Sequence, residues 1–440
     1  MSFEYQVVLL AIDTLNAKLS PIDENLPHSM LPVANRPLLS YQLELLERAG
    51  FKSVLIVIQE FQQTKITPYV TQIYKETGKI EVEFFVLKDQ NQIGTCEILY
   101  RIREKIRTNF IVMNGNLIAD EGFIRQMADL HRSSDSSLTI LLNKAEINPK
   151  EKLDASFIDY IGLDENNNRV LLMESATEIE EKVLVSKNLL KYFPNITLNV
   201  NLKDTQFYIF SRWVIDLIVE DQKNNKNNPM TSIKKQLIPY LLSCQIPGHG
   251  RNLPASAINH NQDLALSMST SSTPFNPSYH INQQTQGTIK CMNYLMNGYC
   301  ININNLQTFT QANRDIASGK SSTYKPLEAP FKNNYIDTKA QVAPTSIGIN
   351  CVIGTETILG QKSSVKNSII GKHCKFGTNV RIDSSIIMDY VTVEDQCNIS
   401  GSIIGNNVYI KTKFVKDSQV SSGFTVTKDL KGKQVGNSSL

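Results

Sequence analysis

From residue 336 onward the chain repeats itself, and few folds accommodate the repeat. Ile347, Ile353, Leu359 and Val365 stand six residues apart, and the first three are each followed by glycine. The register then shifts by one and continues through Ile370, Phe376 and Ile382, then Ile387, Val393 and Ile399, then Ile404 and Ile410. A longer period is superimposed. Ser368-Ile369-Ile370-Gly371, Ser385-Ile386-Ile387-Met388 and Ser402-Ile403-Ile404-Gly405 recur every 17 residues. One aliphatic residue every six, with a coil of about 17, is the signature of a hexapeptide β-helix. A β-sandwich would instead alternate apolar and polar residues and turn every ~8–12. The repeat predicts an all-β, left-handed β-helix over 336–428. The Lys-rich stretch Lys428 to Lys433 reads as solvated, with 429–440 as a tail.

Residues 1–242 follow a different rule. Val7 to Ile12, Val54 to Ile58, Val82 to Leu87, Phe110 to Met113, Leu138 to Leu142 and Phe207 to Phe210 are apolar runs without alternation. Such runs suit strands buried on both faces, so an α/β domain with a mostly parallel sheet is expected. Ligands of such sheets sit beyond the C-terminal strand ends, which places 13–21, 92–96 and 114–120 around one crevice. Residues 243–288, rich in Asn, Gln, Ser and Thr, lack apolar periodicity and read as a disordered linker. Residues 289–335 read as a connector, with Met292 and Met296 on one face of a helix.

Composition narrows the function classes. With 440 residues the chain needs two or three domains. A net charge of +3 and the lack of a dense basic run with interleaved aromatics argue against nucleic acid as a partner. No apolar run reaches the ~18 residues of a membrane span, and the amino terminus lacks the basic start of a signal peptide. Seven scattered cysteines without a CxxC pair suit free thiols in the cytosol. No metal site or cofactor is expected.

The loop after the first strand carries the functional question. A phosphate-cradling loop needs glycine so that backbone N–H groups can converge on oxygen, yet residues 11–26 contain none. An α/β nucleotide domain followed by a hexapeptide β-helix resembles the nucleotide-sugar pyrophosphorylase family, whose first domain is Rossmann-like and of nucleotidyltransferase type. The resemblance spans nearly the whole chain apart from 243–288. It implies phosphoryl transfer by positioning and electrostatic clamping, from a glycine-rich loop with a basic residue, a lysine between prolines, and an aspartate that holds Mg²⁺.

This chain departs from that pattern at each point. Asp13 to Lys18 replaces the glycine loop, with Lys18 read at the basic position and Asp13 as repelling phosphate. Pro27-His28-Ser29 replaces the lysine segment, and an exposed His28 would be mostly neutral at pH 7. Its continuation, Met30 to Pro37, matches the family closely. Asn114-Gly115-Asn116 puts neutral Asn116 where the family has the metal-binding aspartate, and Asp204-Thr205-Gln206-Phe207-Tyr208 replaces the sugar-binding segment. Gln92-Ile93-Gly94-Thr95-Cys96, at the base-recognition position, stays family-like. Asp120 is read as a helix N-cap, with metal ligation as the alternative. His373 is read as solvent-facing, with the general base of a hexapeptide acyltransferase as its alternative. Cys351, Cys374 and Cys397 read as coil-interior fillers, and Trp213 as core.

A crevice of this kind, Asp13, Lys18, His28, Gly94, Thr95, Asn116 and Asp204, looks degenerate, and no catalytic residue is assigned. Non-catalytic members of the family include pyrophosphorylase regulatory subunits and the gamma and epsilon subunits of translation initiation factor 2B. The end at Leu440 leaves no room for the further helical domain of epsilon. Phe3 to Val8, Leu31 to Leu38, Leu45 to Phe51, Phe157 to Asp164, Gln236 to Leu241 and Ala312 to Arg314 resemble the gamma-subunit family. That resemblance implies a cytosolic, non-catalytic or co-catalytic subunit of a guanine-nucleotide exchange factor. Its partners would be the epsilon and other subunits and GDP-bound initiation factor 2. The alternative is a regulatory subunit of, or an active, nucleotide-sugar pyrophosphorylase.

Overall fold

The computed structural model describes residues 4–13, 19–24, 26–74, 76, 78–88, 93–144, 158–166, 168–176, 183, 185–225, 227–246, 289–324, 330–331 and 334–436. The first domain is built on a seven-stranded sheet in the order Cys291–Leu295, Leu138–Lys144, Leu202–Phe210, Asn109–Asn114, Tyr5–Leu10, Ser53–Gln59, Glu81–Leu87. Only Leu202–Phe210 runs antiparallel to its neighbours. Both faces are covered, as the unalternating strands require. Val8 and Leu10 enter one core, Val7 and Leu9 the other, and Phe110 and Val112 are likewise split from Ile111 and Met113. Trp213 lies in the first of these cores, at the start of the helix Trp213–Asn224.

One element differs from the expectation. Residues 291–295 form a strand that pairs with Leu138–Lys144, so Met292 and Met296 do not lie on a connector helix. The reason is periodicity: an i, i+4 spacing fits a period of two as well as one of 3.6. Here Ile289 and Cys291 enter one core while Tyr294 and Met296 enter the other. The helix of this region is Leu306–Ala317, started by a capping box between Asn305 and Thr308.

The second domain is a left-handed β-helix with three sheets, one per face, parallel except where Pro330–Phe331 pairs antiparallel with Asn334–Ile336. Ile370, Phe376, Ile382 and their equivalents point inward, as do Cys351, Cys374 and Cys397. The recurring serines form a ladder, in which the Ser385 N–H donates to Ser368 Oγ (3.1 Å) and Ser402 N–H to Ser385 Oγ (3.2 Å). The stretch read as a tail is part of this domain. Leu430–Lys431 and Gln434–Val435 are its last strands, because Leu430 continues the inward series after Val415.

The doubled isoleucines explain how the domains join. In each Ser-Ile-Ile unit the second isoleucine fills the coil and the first faces outward. Those outward residues, Ile369, Ile386 and Ile403, share a buried cluster with Leu19, Ile22, Leu31, Val33, Tyr41, Phe309 and Ile316. Pro32–Val33 and Arg36–Pro37 form a hairpin across Ala34 and Asn35, both at positive φ, as a two-residue turn of the primed type requires. Asn35 Nδ2 reaches the Ile370 carbonyl at 2.7 Å and Ser421 Oγ donates to Glu24 at 2.7 Å. The Met30–Pro37 segment is therefore an interdomain hairpin.

Candidate functional site

The crevice lies where strand order reverses around Tyr5–Leu10, at the C-terminal ends of the central strands. Gly115 sits against that first strand. Its N–H donates to the Leu10 carbonyl at 2.8 Å, and a Cβ there would meet that oxygen at 3.0 Å. This approach brings Asn114 and Asn116 to the crevice floor.

The chain's own groups occupy this floor. Cys300–Asn302 pairs antiparallel with Leu117–Ala119, and the Ile303 N–H donates to the Asn116 carbonyl at 2.9 Å. Asn116 Nδ2 donates to Asn304 Oδ1, forming an amide pair where the resemblance implies a metal-holding carboxylate. Asn302 Nδ2 donates to the Thr205 carbonyl (2.8 Å) and Asn114 Nδ2 to Gln206 Oε1 (2.5 Å). The cavity left here, lined by Ile12, His28, Ser29, Asn114, Asn116 and Ile303, is about 10 Å³. That is roughly one water, far below the ~300 Å³ or more of a small-molecule pocket.

At the crevice edge His28 is not solvent-exposed, contrary to the sequence expectation: its side chain is 14% accessible and lies between two carboxylates. Nε2 is 2.9 Å from Asp23 Oδ2 and Nδ1 is 3.6 Å from Asp13 Oδ1, while the His28 N–H donates to Asp13 Oδ1 at 2.9 Å. The short turn His28–Met30 holds the ring there. Asp13 is thus committed to the backbone and ring of His28. Lys18 lies outside the described residues, as does Gln92.

Gly94 and Thr95 face inward to another segment of the chain. A Cβ on Gly94 would lie 2.2 Å from the Thr231 carbonyl oxygen; Thr95 Oγ1 accepts from the Ile233 N–H at 2.8 Å, and the Cys96 N–H donates to the Thr231 carbonyl at 2.8 Å. Residues 94–96 are thus bound to residues 231–233.

Asp204 is buried beside Tyr208, whose hydroxyl donates to it, and 3.9 Å from Lys234 Nζ, which also pairs with Asp159 at 2.9 Å. Burial pushes the Asp204 carboxyl up, with Lys234 opposing. Asp120 does not cap the following helix. The helix Phe123–Ser133 begins after Gly122, and Asp120 accepts from Ser321 Oγ (2.6 Å) and Ser322 Oγ (2.7 Å). Burial alone would raise its carboxyl; these bonds outweigh it and hold the group below the usual carboxylate range. Asp120 therefore anchors the segment that follows the Leu306–Ala317 helix. No group of three or more His, Cys, Asp or Glu side chains placed to hold a metal exists among the described residues. His373, at a coil corner, stacks on Tyr390 at 4.8 Å and lies 3.1 Å from Glu356. Asn304, Asp159, Asp23 and Lys234 were not singled out by the sequence, since nothing in their spacing ties them to the crevice.

Residues 16–244 match the family model described as nucleotidyl transferase, and 331–431 match the one described as the EIF2B subunit epsilon LbH domain. The chain is 54% identical over 394 residues to translation initiation factor eIF2B subunit gamma of Dictyostelium discoideum, covering 84% of this chain and 88% of the relative. This chain belongs to the eIF2B gamma-subunit family. Within that family it is 29% identical to the Schizosaccharomyces pombe protein over 55% of this chain and 52% of that one. It is also 21% identical to mannose-1-phosphate guanylyltransferase regulatory subunit alpha of Drosophila melanogaster, over 33% of this chain and 34% of the other. No helix among the described residues is long and apolar enough to cross a membrane.

Proposed function

We propose that this chain is a non-catalytic or co-catalytic subunit of the guanine-nucleotide exchange factor that recycles GDP-bound translation initiation factor 2. In this reading it pairs with an epsilon-type subunit and supplies scaffold and substrate docking. The observation that carries it is the contrast between two halves of one segment. Asp13 and His28 are tied to one another and Asn116 to Asn304, while Met30–Pro37 is retained as the hairpin that seats the β-helix. The long match to a relative named eIF2B subunit gamma supports the same reading.

The test is affinity purification of the full chain followed by mass spectrometry. Recovery of the other subunits of the initiation factor supports the proposal; recovery of the isolated monomer overturns it. The likeness to a guanylyltransferase regulatory subunit favours a second reading, a pyrophosphorylase regulatory subunit. That reading requires co-purification with a catalytic homologue that keeps the glycine loop.

A further inference from the structure

The last two coils of the β-helix differ in charge from the rest of the face to which they belong. On the sheet formed by Ser364–Lys366, Arg381–Asp383, Asn398–Ser400, Phe414–Lys416 and Leu430–Lys431, the outward residues of successive strands stand in register. At one end Lys366 faces Asp383, a balanced pair. At the other Lys416 faces Lys431, and Lys413, Lys428 and Lys433 stand at the adjoining corners, all exposed. Asp417 and Asp429 stand at neighbouring corners, and Asp429 Oδ1 accepts from the Phe414 N–H at 3.2 Å, so lysines outnumber acids here by five to two. None of these five lysines makes an ion pair among the described residues. Phe414 projects among them, 55% exposed.

Like charges on adjacent strands ~4.8 Å apart oppose folding, and an exposed phenylalanine beside them adds an apolar contact surface. Both are explained by a ligand that brings carboxylates and an apolar side chain. The strands Thr425–Val426 and Leu430–Lys431 end their sheets, so their outer edges have no strand partner among the described residues. A polypeptide strand can add to such an edge through main-chain hydrogen bonds, with alternate side chains facing the lysines. Phosphates can accept from those N–H groups but offer no donor to the C=O groups, and Asp417 at the corner interrupts a phosphate track.

We propose that this end of the β-helix is a docking surface for an acidic, extended polypeptide segment of a partner, held by the Lys416–Lys431 ladder and Phe414. The proposal does not depend on which complex the chain enters.

The experiment uses the purified full chain and fluorescence anisotropy at low salt. The probe is a labelled peptide with glutamate or leucine at alternate positions and threonine between them, with a single-stranded RNA of equal charge as comparator. The peptide is expected to bind more tightly than the RNA and to be released as salt rises. Lys416→Glu with Lys431→Glu should weaken it at least roughly tenfold, and Phe414→Ala should also weaken it. Lys366→Glu, on the same face, should leave it unchanged. Lys416→Gln with Lys431→Gln, which adds no new charge, should weaken binding without lowering the melting temperature. Absence of peptide binding, tighter RNA binding, or equal effects of the 366 and 416/431 reversals would overturn the proposal.

Discussion

Asn35 of the α/β domain donates a 2.7 Å hydrogen bond to the carbonyl of Ile370 in the β-helix, from a turn in which its own φ is +63°. One residue thus shapes a hairpin and fastens it to the other domain. Asn35→Gly keeps the left-handed backbone and loses only the bond, so it should cost about 1 kcal/mol. Asn35→Ala loses both and should cost more. Denaturant titration ranks the two, and equal midpoints would contradict this division of roles.

Gly94→Ala tests how tightly the 94–96 segment is held against residues 231–233. The added methyl meets a backbone oxygen at 2.2 Å, which no side-chain rotation relieves. Helix Thr95–Arg101 must shift from residues 231–233, and a loss of about 1–3 kcal/mol is expected. An unchanged thermal midpoint would mean that the segment is free to move.

Restoring charge should not restore chemistry. His28→Lys with Asn116→Asp puts back the two ionic groups but not the space, because Ile303 and Asn304 remain on the crevice floor. With Mg²⁺, a nucleoside triphosphate and a sugar 1-phosphate, the double variant is expected to release no pyrophosphate. Release above the unaltered protein would show that the crevice opens.

His131 gives the fold an acid limit. It is buried, contacts Thr139 Oγ1 at 2.8 Å, and burial pushes its imidazole down to about 4 from 6.5. A depressed histidine favours the neutral ring in the folded state, so the unfolded chain binds the extra proton. Its contribution is complete above about pH 6.5 and is lost as pH falls towards 4. At 1.36 kcal/mol per unit the loss is on the order of 3 kcal/mol. Urea midpoints between these pH values should fall steeply, and should fall less in His131→Gln. A flat profile would contradict the assignment.

The legibility of the chain follows from what periodicity encodes. The six-residue rule located the β-helix because each coil repeats one interior demand. The same text held more: two adjacent isoleucines per 17-residue unit cannot both point inward, so Ile369, Ile386 and Ile403 announced a covered outer face. Met292 and Met296 misled because their spacing suits a strand and a helix alike. Lys428 to Lys433 looked like a tail because charge outnumbers the single inward Leu430. In the crevice, Asp13, His28 and Asn116 were legible as departures from a pattern. Their replacement partners were not: Asn304 lies 188 positions from Asn116 and contributes only through the fold.

The shared isoleucine stripe also constrains biosynthesis. Leu19, Leu31 and Tyr41 leave the ribosome long before Ile369, Ile386 and Ile403, yet they share one buried cluster with those later residues and the Leu306–Ala317 helix. The first domain therefore spends most of its synthesis with one greasy flank open, in need of a chaperone or of rapid completion. A nonsense codon shortly after residue 336 would leave that flank permanently uncovered, yielding a sticky fragment rather than a working half-protein.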